Sequence, residues 1–138
     1  MTDTKGQRTV LVIDDEPHVV TYLEMLLQDA GYKTISAENG KVGREKARKE
    51  MPDLICLDIN MPEESGIRFY RNLKEDPVMA RIPVLVITAV TGLGGQPGPL
   101  EKFISTRKHI PAPEGFFSKP IDREEFLAKV EEVLSATG

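Results

Sequence analysis

Val10-Leu11-Val12-Ile13-Asp14-Asp15-Glu16-Pro17 decides the architecture. Four consecutive apolar residues, three of them β-branched, make too short a run for a helix and too uniform a run for a half-exposed strand. The segment therefore reads as a strand buried on both faces. It stops on two aspartates, and Pro17, whose fixed φ and missing N–H suit a first helical turn, opens a helix. That helix carries Val19, Leu23, Leu26, Leu27 and Ala30 on one face and stops at Gly31, where a left-handed residue would end it.

The pattern recurs along the chain. Leu54-Ile55-Cys56-Leu57, Val84-Leu85-Val86-Ile87 and the briefer Phe116-Phe117 read as further buried strands. Tyr32-Lys33-Thr34-Ile35-Ser36-Ala37 is apolar only at every second or third residue, as an edge strand would be. The last helix begins at Asp122-Arg123-Glu124-Glu125, a capping-box spacing, and continues with Phe126, Leu127, Val130, Val133 and Leu134. Strands alternating with helices call for an α/β fold, a doubly wound five-stranded parallel sheet with helices on both faces and right-handed crossovers. For this strand count the flavodoxin-like order 2-1-3-4-5 is the common solution. It places ligands beyond the carboxyl ends of the strands, where the order switches between the first and third.

Composition bounds the function classes. The chain has 138 residues, 40% hydrophobic and 29% charged, with a net charge of −4, which suits one globular domain over residues 9–136 behind a flexible segment at 1–8. The acidic balance argues against nucleic acid. Its only basic cluster, Lys41 to Lys49, is interrupted by Val42, Glu45 and Ala47 and reads as a solvated helix face. Cys56, alone and inside an apolar run, reads as a buried free thiol and fits a reducing compartment. The N-terminus is polar and no window is apolar enough to span a bilayer, so the expected location is cytoplasmic, with no membrane association.

The residues that end the strands carry the chemistry: Asp14, Asp15 and Glu16, then Asp58, Thr88 and Lys119. With neighbouring strands about 4.8 Å apart, they would line one edge of the sheet. Carboxylates about 5 Å apart repel by roughly 3 kcal/mol at an effective dielectric of 20. A hard cation such as Mg²⁺, which takes one or two carboxylates plus a phosphate oxygen, offsets that repulsion. Taken singly, an aspartate after a strand is a common turn residue, a threonine a common strand residue and a lysine a common surface residue. The set falling together at successive strand ends points to a metal and phosphate site.

At these positions the chain resembles the bacterial two-component response-regulator receiver family. The resemblance is carried by Val12-Ile13-Asp14-Asp15-Glu16-Pro17, by Leu57-Asp58-Ile59-Asn60-Met61-Pro62 with Gly66, by Pro83-Val84-Leu85-Val86-Ile87-Thr88-Ala89, and by Phe116-Phe117-Ser118-Lys119-Pro120, over about residues 8 to 136. It implies that Asp58 accepts a phosphoryl group from a phosphohistidine on a sensor histidine kinase or a histidine phosphotransfer protein. It further implies that Asp14, Asp15, Asp58 and the Asn60 backbone carbonyl hold Mg²⁺, with Mn²⁺ as a substitute. Lys119, the Thr88 hydroxyl and the Ala89 amide would bind the phosphoryl oxygens. The Lys119-Pro120 bond would be cis. Thr88 and Phe116 would form the switch, the hydroxyl moving to the phosphoryl group and the aromatic ring turning inward. The last helix ends near Gly138, which suggests the stand-alone, single-domain type: a phosphorelay member or a regulator of a downstream protein target, with no enzymatic turnover beyond its own phosphorylation and slow autodephosphorylation.

One segment departs from the family pattern. Between the fourth and fifth strands lies a Gly- and Pro-rich insertion, about residues 91–114, containing Gly92, Gly94, Gly95, Pro97, Gly98 and Pro99, in which Leu100 to His109 reads as a displaced helix. It is expected to form a specialised or partner-ordered surface. His18 and His109 lack the companions of a transition-metal site. Two rival functions remain. An aspartyl-phosphate phosphatase would carry a second carboxylate two residues after the nucleophile, where this chain has Asn60. A phosphorylation-independent interaction module of the same fold would bind its partners equally well without Asp58.

Overall fold

The computed structural model describes residues 7–59, 66–88 and 112–137. Its strands are Thr9–Ile13 (β1), Lys33–Ala37 (β2), Leu54–Asp58 (β3), Val84–Thr88 (β4) and Gly115–Ser118 (β5). Among the described residues the helices are Pro17–Asp29 (α1), Gly40–Glu50 (α2), Gly66–Glu75 (α3) and Arg123–Thr137 (α4), with a 3₁₀ turn at Met79–Arg81. All strand pairings are parallel and the order is β2-β1-β3-β4-β5. The switch in order therefore lies between β1 and β3, as expected.

Alternation along each strand divides the core into two layers. Leu11, Ile13, Ile55, Leu57, Val84 and Val86 pack with Ala47 of α2 and Phe69, Tyr70 and Leu73 of α3. Val10, Val12, Leu54, Cys56, Leu85 and Ile87 pack on the other face with Leu23, Leu26 and Leu27 of α1 and Phe126, Val130, Val133 and Leu134 of α4. Burial pushes the Cys56 thiol up to about 12, so it stays protonated and acts as a small hydrophobe.

Local signals set the helix ends. Pro17 is the first residue of α1, and Gly31, at φ +96°, reverses the chain after it. The Asn39 side chain accepts from the Val42 N–H at 2.8 Å to cap α2. Asp122 accepts from the Glu125 N–H at 2.9 Å to cap α4. Among the described residues, no helix is long and apolar enough to cross a membrane.

The expectation that Phe116-Phe117 forms a buried strand needs correction. Phe117 packs edge-on to Phe126, with ring centroids 5.7 Å apart. Phe116 is 39% exposed. The reason is position, because β5 is the outer strand beside β4 and its alternate side chains do not share a covered surface.

Candidate functional site

Asp14 follows the last residue of β1. Its backbone N–H donates to the Ala37 carbonyl at 3.1 Å, which continues the β1–β2 pairing one residue further and fixes the carboxylate at the strand tip. Asp58 is the last residue of β3 and pairs with Ile87 of β4. Both side chains are almost completely buried, at 2% and 1% exposure, whereas Asp15 is exposed. Asp14, Asp15 and Asp58 each offer a carboxylate oxygen within 4.8 Å of the others.

Buried carboxylates at this spacing need compensation. Lys119 supplies part of it. Its ammonium lies 3.4 Å from Asp14 Oδ2, 3.8 Å from Asp58 Oδ2 and 2.8 Å from Glu16 Oε1. Burial lowers the Lys119 pKa, but the hydrogen bond to Glu16 and the charges of Asp58, Asp14 and Glu16 outweigh it, and the net direction is upward. The hydrogen bond from Lys119, then its charge, hold the Glu16 carboxyl below its ordinary range.

The compensation is incomplete. Asp14 Oδ1 accepts from the Glu16 N–H at 2.9 Å, but the buried Oδ2 has no hydrogen-bond partner. A buried oxygen in that state, facing two further carboxylates, fits a hard divalent cation that takes all-oxygen ligands. A cavity of about 370 Å³, lined by Asp14, Asp15, Thr21, Ser36, Glu38 and Lys46 among others, opens the acid corner between α1 and α2.

Thr88 ends β4, half-buried, and its carbonyl accepts the Lys119 N–H at 2.9 Å. The Lys119-Pro120 peptide bond is cis. Tyr22 of α1 donates its hydroxyl to the Ile121 carbonyl at 3.2 Å and so holds the segment after Lys119 against the helix. The structure thus brings Asp14, Asp15, Asp58 and Lys119 together, with Thr88 on the adjoining strand end. Asn60, Ala89 and residues 91–111 of the expected insertion, His109 included, lie outside the described residues. His18 is exposed on the first turn of α1, with Nε2 3.9 Å from Glu16 Oε2.

Sequence reasoning gave Glu16 a place at the strand end but no role. Its tight contact with Lys119 spans 103 residues of chain. The available signal was its position, two residues after Asp14 and just before the helix-opening Pro17.

Comparison with known proteins agrees with this geometry. The family model described as "Response regulator receiver domain" matches residues 10–94. The polar-differentiation response regulator DivK of Brucella anthropi is 30% identical over 127 residues, covering 92% of this chain and 96% of DivK. The alkaline phosphatase synthesis transcriptional regulatory protein PhoP of Bacillus subtilis is 32% identical over 127 residues, but the match covers 48% of PhoP against 92% of this chain. The chain spans about half of that relative's length, and a quarter of some others. The solved structure of the Vibrio cholerae chemotaxis protein CheY4 superposes with a TM-score of 0.77 at 26% identity, covering 93% of this chain and 99% of that one. The acid corner at the β1–β3 switch, the lysine after β5 and the family match together establish that this chain belongs to the response regulator receiver family.

Proposed function

We propose that the chain works as a phosphoryl-accepting signalling switch of a two-component system, with Asp58 as the acceptor. The observation that carries this is the burial of the Asp58 carboxylate at the tip of β3, beside two further carboxylates and 3.8 Å from the Lys119 ammonium. An Asp58 oxygen forms a P–O bond as the P–N bond of a phosphohistidine breaks, and the freed imidazole leaves with the donor, a sensor histidine kinase or histidine phosphotransfer protein. Asp14 and Asp15, with Asp58 itself, would hold Mg²⁺, which neutralises charge as the phosphoryl group arrives. Lys119 pairs with one phosphoryl oxygen, and the Thr88 hydroxyl donates to another. The output is a shift in population rather than turnover. Thr88 moves to the phosphoryl group and Phe116, exposed on β5, turns inward to change the surface offered to a downstream protein.

Incubation with Mg²⁺ and acetyl phosphate, followed by intact mass, tests the assignment. One added phosphoryl group is expected in the wild type, and none in Asp58→Asn or with a chelator. An adduct that persists in Asp58→Asn would move the acceptor elsewhere.

A further inference from the structure

Lys119 holds its ammonium nearer to Glu16 than to either buried aspartate. Its ammonium is 2.8 Å from Glu16 Oε1 but 3.8 Å from Asp58 Oδ2, so the shortest ion pair lies at the rim of the site and not at the acceptor. Local backbone structure holds Glu16 at that rim. Glu16 is the cap residue of α1, with extended φ −98° and ψ 110°. Its carbonyl accepts from the Val19 and Val20 N–H groups at 3.0 and 3.1 Å, and its own N–H donates to Asp14 Oδ1 at 2.9 Å. The Glu16 side chain is half-exposed and that of Lys119 mostly buried, so the lysine reaches outward to meet the glutamate.

Building on the assignment of Asp14, Asp15 and Asp58 as the metal and phosphoryl site, we propose that Glu16 is a positioning residue. In the resting protein it draws the Lys119 ammonium toward the rim, so that its ion pairs with the aspartate oxygens a divalent cation must use stay at 3.4 and 3.8 Å. Without the Glu16 charge, the partners left to Lys119 in this cluster are Asp14 Oδ2 and Asp58 Oδ2. The ammonium then closes on both, and a metal ion meets stronger competition for those oxygens. Once a phosphoryl group is present, its oxygens compete with Glu16 for Lys119, and the lysine passes inward from one anion to the other.

Titration of the full chain with Mg²⁺ at low ionic strength, by calorimetry or amide chemical shifts, tests this without reading activity. Glu16→Gln should weaken Mg²⁺ binding about two- to fivefold, the range set by an exposed ion pair. That loss should vanish when Lys119→Met is already present, because Glu16 then has no lysine to hold. An equal loss in both backgrounds would mean that Glu16 attracts the cation directly, and would overturn the proposal. So would unchanged affinity in Glu16→Gln alone. Glu16→Asp gives a second test that does not depend on Lys119→Met folding: it keeps the charge but withdraws it by one methylene. It should lose affinity as Glu16→Gln does, and wild-type affinity in Glu16→Asp counts against the proposal. A wild type that binds no Mg²⁺ would instead refute the underlying metal-site assignment.

Discussion

The Lys119 backbone N–H donates to the Thr88 carbonyl at 2.9 Å, so β4 and β5 stay bonded up to the two residues that carry the lysine and the hydroxyl. The Thr88 side chain takes no part in that bond. Thr88→Ala should therefore unfold within about 1 kcal/mol of the wild type. Labelling by acetyl phosphate should slow on the order of tenfold, because one donor to the developing charge is gone. Urea unfolding and a mass-spectrometric time course separate the two effects, and a large loss of stability would assign the hydroxyl to folding instead.

Mg²⁺ should stabilise the protein against heat. At about ten times its dissociation constant, a ligand that binds only the folded state adds about 1.4 kcal/mol. Asp15→Asn should lose most of that gain. Without metal it should be at least as stable as the wild type, since one of three crowded carboxylates has been neutralised. Melting curves in chelator and in Mg²⁺ give both numbers, and an equal Mg²⁺ gain in the variant would remove Asp15 from the ligand set.

Gly43 of α2 lies hard against β1: a Cβ there would stand 2.6 Å from Ile13 Cδ1. Gly43→Ala gains about 1 kcal/mol of helix propensity. It must also displace a fully buried side chain, at a cost of about 1–3 kcal/mol. A net loss is expected in the wild type. In an Ile13→Val background, which lacks Cδ1 but keeps a Cγ1 that stands 3.1 Å from the Cβ position, the loss should shrink. Urea midpoints of the four proteins check the difference.

Asp76 caps the 3₁₀ turn after α3, accepting from the Val78 N–H at 2.8 Å and the Met79 N–H at 3.1 Å through Oδ1, with Arg48 3.5 Å from Oδ2. The Met79 and Val78 hydrogen bonds, ahead of Arg48, hold its pKa below the ordinary 3.8. Its contribution is therefore complete above the unfolded-state value and is lost as pH falls through the lower folded-state value. Asp76→Ala should be less stable than the wild type at neutral pH, with the gap narrowing toward strong acid. A gap that stays constant down to low pH would show that the carboxylate charge is irrelevant there.

The sheet was legible because three of its strands are continuous apolar runs. Val10–Ile13, Leu54–Leu57 and Val84–Ile87 all fall inside observed strands, fully or nearly fully buried. The ending of each strand on a polar residue made Asp14, Asp58, Thr88 and Lys119 readable as neighbours once the strand order was assumed. Helix α2 signals itself more weakly, since its buried positions are Gly40, Gly43 and Ala47 and close approach replaces large apolar side chains. The exposure of Phe116 follows from an edge position that two adjacent phenylalanines do not announce. The Glu16–Lys119 contact depends on how α1 leaves β1 and on side-chain rotamers 103 residues apart, which no local pattern encodes.

Glu114 clips the chain at its return into the sheet. Its N–H donates to the Val84 carbonyl at 2.9 Å, and its carboxylate accepts the Val84 N–H at 2.8 Å. Two bonds to one residue set where β5 begins, so the register that carries Lys119 is anchored locally and does not depend on the contour length of the preceding connection. Loop-closure entropy grows only as the logarithm of length, about 0.6 kcal/mol per doubling. A change of length between Ala89 and Ala112 should thus leave the β4–β5 register, and Lys119 with it, in place.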